Sequence, residues 1–146
     1  SLIYSEFMSK LLTTPAEVSA LVNAVKVVAI VGVSDKPDRA SKAVAKYLQD
    51  HSQYKLYFVN PLLETVLGEK SYKSLNEIPE QIDMVDVFRK PSDMEAVMDE
   101  AISVKAKSFW MQLGISEAVQ AERGVQAGMD VVQNLCLKVE FEKYVN

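Results

Sequence analysis

The sequence predicts a doubly wound α/β domain, with a mainly parallel five-stranded sheet and helices on both faces. Three observations predict it. Apolar runs of strand length alternate with segments whose apolar residues recur at helical spacing, as β-α-β crossovers require. The first run, Val27 to Val31, is apolar without a break, the pattern of a strand buried on both faces. The 146 residues suit one domain and contain no repeat, low-complexity tract or linker.

The elements follow in order. Ile3, Phe7 and Leu11 recur every four residues, so residues 3–11 are expected to form a short helix. A second helix starts at Thr14-Pro15-Ala16-Glu17, where Thr14 caps, Pro15 suits the first helical position and Glu17 closes a capping box. Strand one spans Lys26 to Val33, and Ala40, Ala43, Val44, Tyr47 and Leu48 mark the helix after it. Lys55 to Val59 is strand two and Asp83 to Phe88 strand three, with a capped turn at Ser74-Leu75-Asn76-Glu77 between them. Ser92 to Glu95 reads as another capping box, followed by the stripe Met94, Val97, Met98, Ala101 and Ile102. Lys107 to Gln112 is strand four, Ser116 is expected to cap a helix ending near Gly128, and Met129 to Gln133 is strand five. The last stretch fits two periods: Leu137, Val139 and Phe141 for a strand, or Leu137, Phe141, Tyr144 and Val145 for a helix.

Composition narrows the function. Apolar residues make up 49% and charged residues 25%, which places the chain among soluble globular domains. A formal net charge of −4 leaves no broad basic surface for nucleic acid, so any phosphate must be held locally. Cys136 is the only cysteine, which excludes an intrachain disulfide and a multi-cysteine zinc site and fits a reducing, cytoplasmic setting. No apolar run approaches the ~20 residues of a membrane span, and the N-terminus lacks the order of a signal peptide.

In open α/β sheets ligands sit beyond the carboxyl ends of the strands. After strand one stands Gly32-Val33-Ser34-Asp35-Lys36-Pro37-Asp38-Arg39-Ala40-Ser41. Gly32 allows a sharp turn, Ser34, Ser41 and the free amides of the next helix are donors for an anion, and Lys36 and Arg39 add positive charge. Strand two ends in Asn60-Pro61, strand three in Arg89-Lys90-Pro91 and strand four in Gln112-Leu113-Gly114. Arg89 suits a phosphate or an adenine face, and its plain structural role is a salt bridge to Asp35 or Asp86. There is no G-x-G-x-x-G and no G-x-x-x-x-G-K-[ST], and Asn60 stands where an acidic residue would read a ribose diol. Dinucleotide redox chemistry and triphosphate hydrolysis are therefore disfavoured.

The blocks Val28 to Ser34 with Lys36-Pro37, Arg39 and Ser41, then Val59-Asn60-Pro61, Leu67-Gly68-Glu69, Asp83 to Arg89, Trp110 to Gly114 and Cys136-x-Lys138-x-Glu140 resemble the small stand-alone CoA-binding domain family. That family is similar to the nucleotide-binding domain of the succinyl-CoA synthetase alpha subunit, and the likeness covers residues 26 to 142. The resemblance implies a Rossmann-like fold with coenzyme A or an acyl-CoA as ligand. It implies that Gly32, Val33, Ser34, Lys36, Arg39 and Ser41 take the phosphates and that Asn60, Pro61, Phe88 and Arg89 line the nucleotide side; the pantetheine arm is then expected toward the switch-point crevice by Gln112 to Ser116. Where the family often carries Asp-Arg before the cysteine, this chain has Asn134-Leu135.

On this reading residues 1–25 form a helical extension, 26–135 the nucleotide-binding core and 136–146 a C-terminal segment of one domain. The protein is expected to be a non-catalytic carrier or sensor, without nucleic acid, membrane or metal. His51 is expected to end the first core helix, and Cys136 to be a small buried hydrophobe. Trp110 is expected to pack in strand four, half exposed at the crevice, and Asp35, Asp38 and Asp86 to serve turns and caps. Alternative readings are a small acyl-CoA or nucleotide-dependent enzyme using Cys136 or His51, and an interaction module with an empty nucleotide site. A homo-oligomer contact through residues 14–25 belongs to the last.

Overall fold

The computed structural model describes residues 9–145. Its sheet is built on β1 (Val27–Val31), β2 (Lys55–Val59), β3 (Thr65–Val66), β4 (Glu69–Tyr72), β5 (Met84–Val87), β6 (Ser108–Met111) and β7 (Asp130–Val132). The order is β3-β4-β2-β1-β5-β6-β7, and every pairing except β3 with β4 is parallel. The sequence expects five strands, and five of the seven are those. The other two form a hairpin closed by Leu67 (φ +51°) and Gly68 (φ +79°), the left-handed pair that a tight two-residue turn requires. Their polar strands, Thr65–Val66 and Glu-Lys-Ser-Tyr, carry no apolar run, so periodicity alone does not show them.

Among the described residues five helices cover the sheet: α1 (Pro15–Ala24), α2 (Ala40–His51), α3 (Met94–Ser103), α4 (Ala118–Gln126) and α5 (Leu137–Tyr144). Successive strand residues point to opposite faces, and the core divides accordingly. Ala29, Val31, Val85, Val87 and Phe109 pack with Met94, Met98 and Ala101 of α3 and Ala121 of α4. Val28, Ile30, Phe58, Met84 and Trp110 pack with Val22 of α1, Val44 and Leu48 of α2, and Leu137 and Phe141 of α5. Helices thus lie on both faces, as expected, and the ambiguous C-terminal stretch is helical because Leu137 and Phe141 both turn inward.

Local expectations meet different outcomes. The capping box at α1 is present: the Thr14 hydroxyl accepts from the Glu17 amide, and the Glu17 carboxylate accepts from Thr13 and Thr14. The Lys10 ammonium, 2.8 Å from Glu17, and those amides hold the Glu17 carboxyl down at about 2. Of the helix expected over residues 3–11, positions 3–8 lie outside the described residues. Positions 9–11 are not helical, because this segment lies along β7: Val131 donates to Lys10 (3.0 Å) and Leu12 to Val131 (2.8 Å).

Ser92 does not cap α3. It lies inside a 3₁₀ turn, Pro91–Asp93, and the carboxylate of Asp93 at the helix start is turned to Arg89. Ser116 is likewise displaced as a cap by Glu117, whose carboxylate accepts from the Gln120 amide at 2.6 Å. Glu117→Ala is expected to cost about 1 kcal/mol, read as a melting temperature lower by roughly 3 °C, whereas Ser116→Ala should leave it unchanged.

Two further expectations are corrected. Trp110 is fully buried, not half exposed, and its indole N–H donates to the Leu135 carbonyl at 2.7 Å. Asp86 is neither a turn nor a capping residue. It sits mid-strand in β5 between Ile30 and Trp110, fully buried, with neither carboxylate oxygen hydrogen-bonded among the described residues. Burial without a partner raises its pKa well above the ordinary carboxylate value.

Candidate nucleotide-binding site

The chain runs outward from β1 to β2 on one side and returns from β1's other flank through β5, so the strand order reverses between β1 and β5. Beyond the carboxyl ends of those two strands lies a cleft of about 340 Å³, lined by Gly32, Ser34, Lys36, Arg39, Ser41 and Arg89, among others. This is the position where doubly wound sheets hold ligands.

Local geometry explains the cleft. Gly32 leaves β1 at φ +89°, and its Cα approaches the Phe88 carbonyl so closely that a Cβ would meet that oxygen at 2.5 Å. The loop is then folded on two hydroxyls: Ser34 donates its amide to the Ser41 Oγ (3.0 Å), and Lys36 its amide to the Ser34 Oγ (3.1 Å). Both oxygens serve as acceptors inside the loop, so their hydroxyl hydrogens are left to donate outward. At the start of α2, Lys42 and Ala43 donate to the Arg39 carbonyl (3.2 Å each), which leaves the amides of Ala40 and Ser41, two residues that line the cleft, without a main-chain acceptor among the described residues. Arg39 is the N-cap residue of α2, and its side chain makes no capping bond.

Charge is concentrated here. Lys36, Arg39, Arg89 and Lys90 all line the cleft, in a chain whose net charge is −4. Arg89 pairs with Asp93 at 3.0 Å, not with Asp35 or Asp86 as the sequence offers. Asp86 fails on placement, since it is fully buried in the middle of β5. Among the described residues Lys36 and Arg39 make no ion pair within 4.0 Å, so their charge is available to an anion.

A second cavity of about 190 Å³ adjoins the first and shares Gly32 and Arg89 with it. Val31, Val59, Pro61, Leu75 and Val97 give it apolar walls, and Lys73 and Glu100 polar ones.

The other residues singled out in the sequence fall elsewhere. Val33 is fully buried and can offer a ligand only its main chain, while its carbonyl accepts from the Asn60 amide at 2.9 Å. Asn60 Oδ1 in turn accepts from Leu62, so this side chain braces the two loops together. Gln112 is buried and its Oε1 accepts from the Leu137 amide, joining β6 to α5 rather than lining the cleft. Phe88 lines the cleft, and Pro61 lines the adjoining cavity. Lys90, at the end of strand three, and Ile115, within the span Gln112 to Ser116, also line the cleft.

His51 ends α2 as expected, but it borders a separate groove with Tyr54 and Phe141 at the opposite edge of the sheet. Cys136 is partly buried and precedes α5. Among the described residues no cluster of His, Cys, Asp and Glu is arranged to hold a metal, and no helix is long and apolar enough to cross a membrane.

A parallel doubly wound sheet whose switch-point cleft is lined by hydroxyls, helix amides and cations defines a domain of the nucleotide-binding class. The comparisons specify which. The profile of the CoA binding domain matches residues 26–142, and the chain belongs to that family. It is 37% identical over 124 residues to uncharacterized protein YneT of Bacillus subtilis, covering 85% of this chain and 91% of that protein. A hypothetical protein from Pyrococcus horikoshii superposes with a TM-score of 0.87 at 34% identity, covering 94% of this chain and 98% of the other. A shorter stretch of 57 residues is 39% identical to the alpha subunit of acetate–CoA ligase (ADP-forming) II of Pyrococcus furiosus. That match spans 39% of this chain and 12% of the ligase subunit, so the likeness is to one part of a much longer enzyme.

Proposed function

We propose that this protein binds coenzyme A through its adenosine diphosphate part on the Gly32–Ser41 loop and acts as a non-catalytic carrier or sensor. The observation that carries the reading is the cleft at the β1/β5 switch point, where unpaired Lys36 and Arg39 stand beside the N-terminus of α2 in an acidic chain. The diphosphate would lie against Ser34, Ser41, Lys36 and Arg39. The base would lie toward Pro61 and Arg89, where the adjoining cavity supplies apolar walls. His51 stands at the other end of the sheet, too remote to act on a ligand in this cleft.

Calorimetric titration with CoA, acetyl-CoA, ADP and NAD tests the proposal. CoA species are expected to bind clearly tighter than NAD. Lys36→Ala combined with Arg39→Ala should weaken CoA at least tenfold and flatten the salt dependence, since each removes a charge-assisted contact of about 1.5 kcal/mol or more. Unchanged affinity in a folded double variant would sink the phosphate assignment.

A further inference from the structure

Apolar side chains left in water are not scattered evenly over this domain. Five large ones are exposed among the described residues: Leu11, Leu62, Leu113, Val119 and Val139. Leu62 follows β2, Leu113 follows β6, and Val119 and Val139 stand in the first turns of α4 and α5. Four of the five therefore lie at the carboxyl edge of the sheet, the edge that holds the cleft.

The segment from Leu113 to Val119 is the part of that edge that continues the cleft. Ile115 lines the cleft itself, while Leu113 and Val119 beyond it are 69% and 63% exposed. Glu117 is its one charged residue, and that carboxylate is turned back to cap α4. The Gly114 amide is fixed by Asn134 (2.7 Å) and the Glu117 amide by Gln133 (2.8 Å), so the loop is held in place with Ile115 against the core and Leu113 and Val119 exposed. Single exposed aliphatic residues need no explanation, but a strip with three aliphatic side chains and a single carboxylate, turned to its own helix, that begins inside a cation-lined cleft is the surface an amphiphile with an anionic head would use.

We propose that the ligand is an acyl thioester of coenzyme A with an aliphatic chain of several carbons, and that the chain lies over Ile115, Leu113 and Val119. This rests on the reading of the cleft as a CoA diphosphate site. With the diphosphate at Lys36 and Arg39, the opposite end of the ligand emerges past Ile115, and a chain there covers side chains that free CoA would leave exposed. Covering Leu113 and Val119 even partly removes enough apolar surface for a tenfold preference.

The test compares CoA, acetyl-CoA and octanoyl-CoA by calorimetry on the full chain and on the Leu113→Ser, Val119→Ser double variant. Both positions are exposed, so the variant should melt with the parent. Octanoyl-CoA is expected to bind the parent about tenfold or more tighter than CoA, with acetyl-CoA close to CoA. The variant should lose that preference and keep its CoA affinity. Equal affinity of the parent for CoA and octanoyl-CoA would overturn the acyl inference and leave the CoA reading intact. A preference that survives in the variant would overturn the assignment to this strip. Binding of none of the three would remove the CoA reading itself.

Discussion

Gly32→Ala should lower the melting temperature by roughly 10 °C and abolish measurable CoA binding. Two costs combine. A Cβ in the left-handed region is disfavoured by about 1–2 kcal/mol, and here it would also meet the Phe88 carbonyl at 2.5 Å. That oxygen is main chain at the end of β5, while Gly32 itself donates to Val59 on β2 at 2.9 Å. Relief must therefore move strand ends, for a total of about 3 kcal/mol, and the phosphate loop moves with them. Gly68→Ala is the control. Its φ of +79° is similar but a Cβ there meets nothing within 4 Å, so it should cost only the conformational part and leave binding unchanged. Equal losses in the two variants would show that the close approach of β1 and β5 does not matter.

The second large effect concerns Asp86 and appears as a dependence of stability on pH. Its folded-state pKa is raised, so folding takes up a proton above the unfolded value near 3.9. The stabilisation is complete below that value and is lost as pH rises toward the folded-state pKa, at about 1.4 kcal/mol per pH unit. The other carboxyls with displaced values, Glu17, Glu80 and Asp83, are shifted downward, so their contributions are present above pH 5 and lost in acid. The displaced Lys and Tyr groups titrate in alkali. Denaturant midpoints from pH 5 upward should therefore fall with pH in the parent and stay flat in Asp86→Asn, with the variant the more stable at neutral pH. The pH at which the parent's slope levels off reads the buried pKa. Parallel curves for the two proteins would mean that Asp86 keeps its ordinary pKa.

Much of the site is legible in the chain because its parts are local. Gly32, Ser34, Lys36, Arg39 and Ser41 fall within ten residues, and the strand before them and helix after them are strong signals. A short loop between a buried strand and a helix has few ways to fold, so its donors and cations converge on one helix N-terminus. The partner of Arg89 was not legible, because Asp93 reaches it only through a 3₁₀ turn that displaces the expected cap at Ser92. Gln112 and Asn60 stand at strand ends, and a place beside the ligand follows for Asn60 from the family resemblance. Their side chains hydrogen-bond to Leu137, Val33 and Leu62, two of these partners distant in sequence.

By itself the sequence determined the alternation of strand and helix, the glycine at the end of β1 and the sign of the charge around it, because each depends on residues within a turn or two of one another. Tertiary structure decided the rest. The β3–β4 hairpin is held to the sheet edge by pairing with β2, Lys10 to Leu12 by pairing with β7, and α5 by the apolar face it lays on α1 and α2. The same holds for Asp86 and Trp110. Which side of the sheet each strand residue faces, and what lies over it, depends on contacts between segments far apart in the chain, and local patterning carries no record of those neighbours.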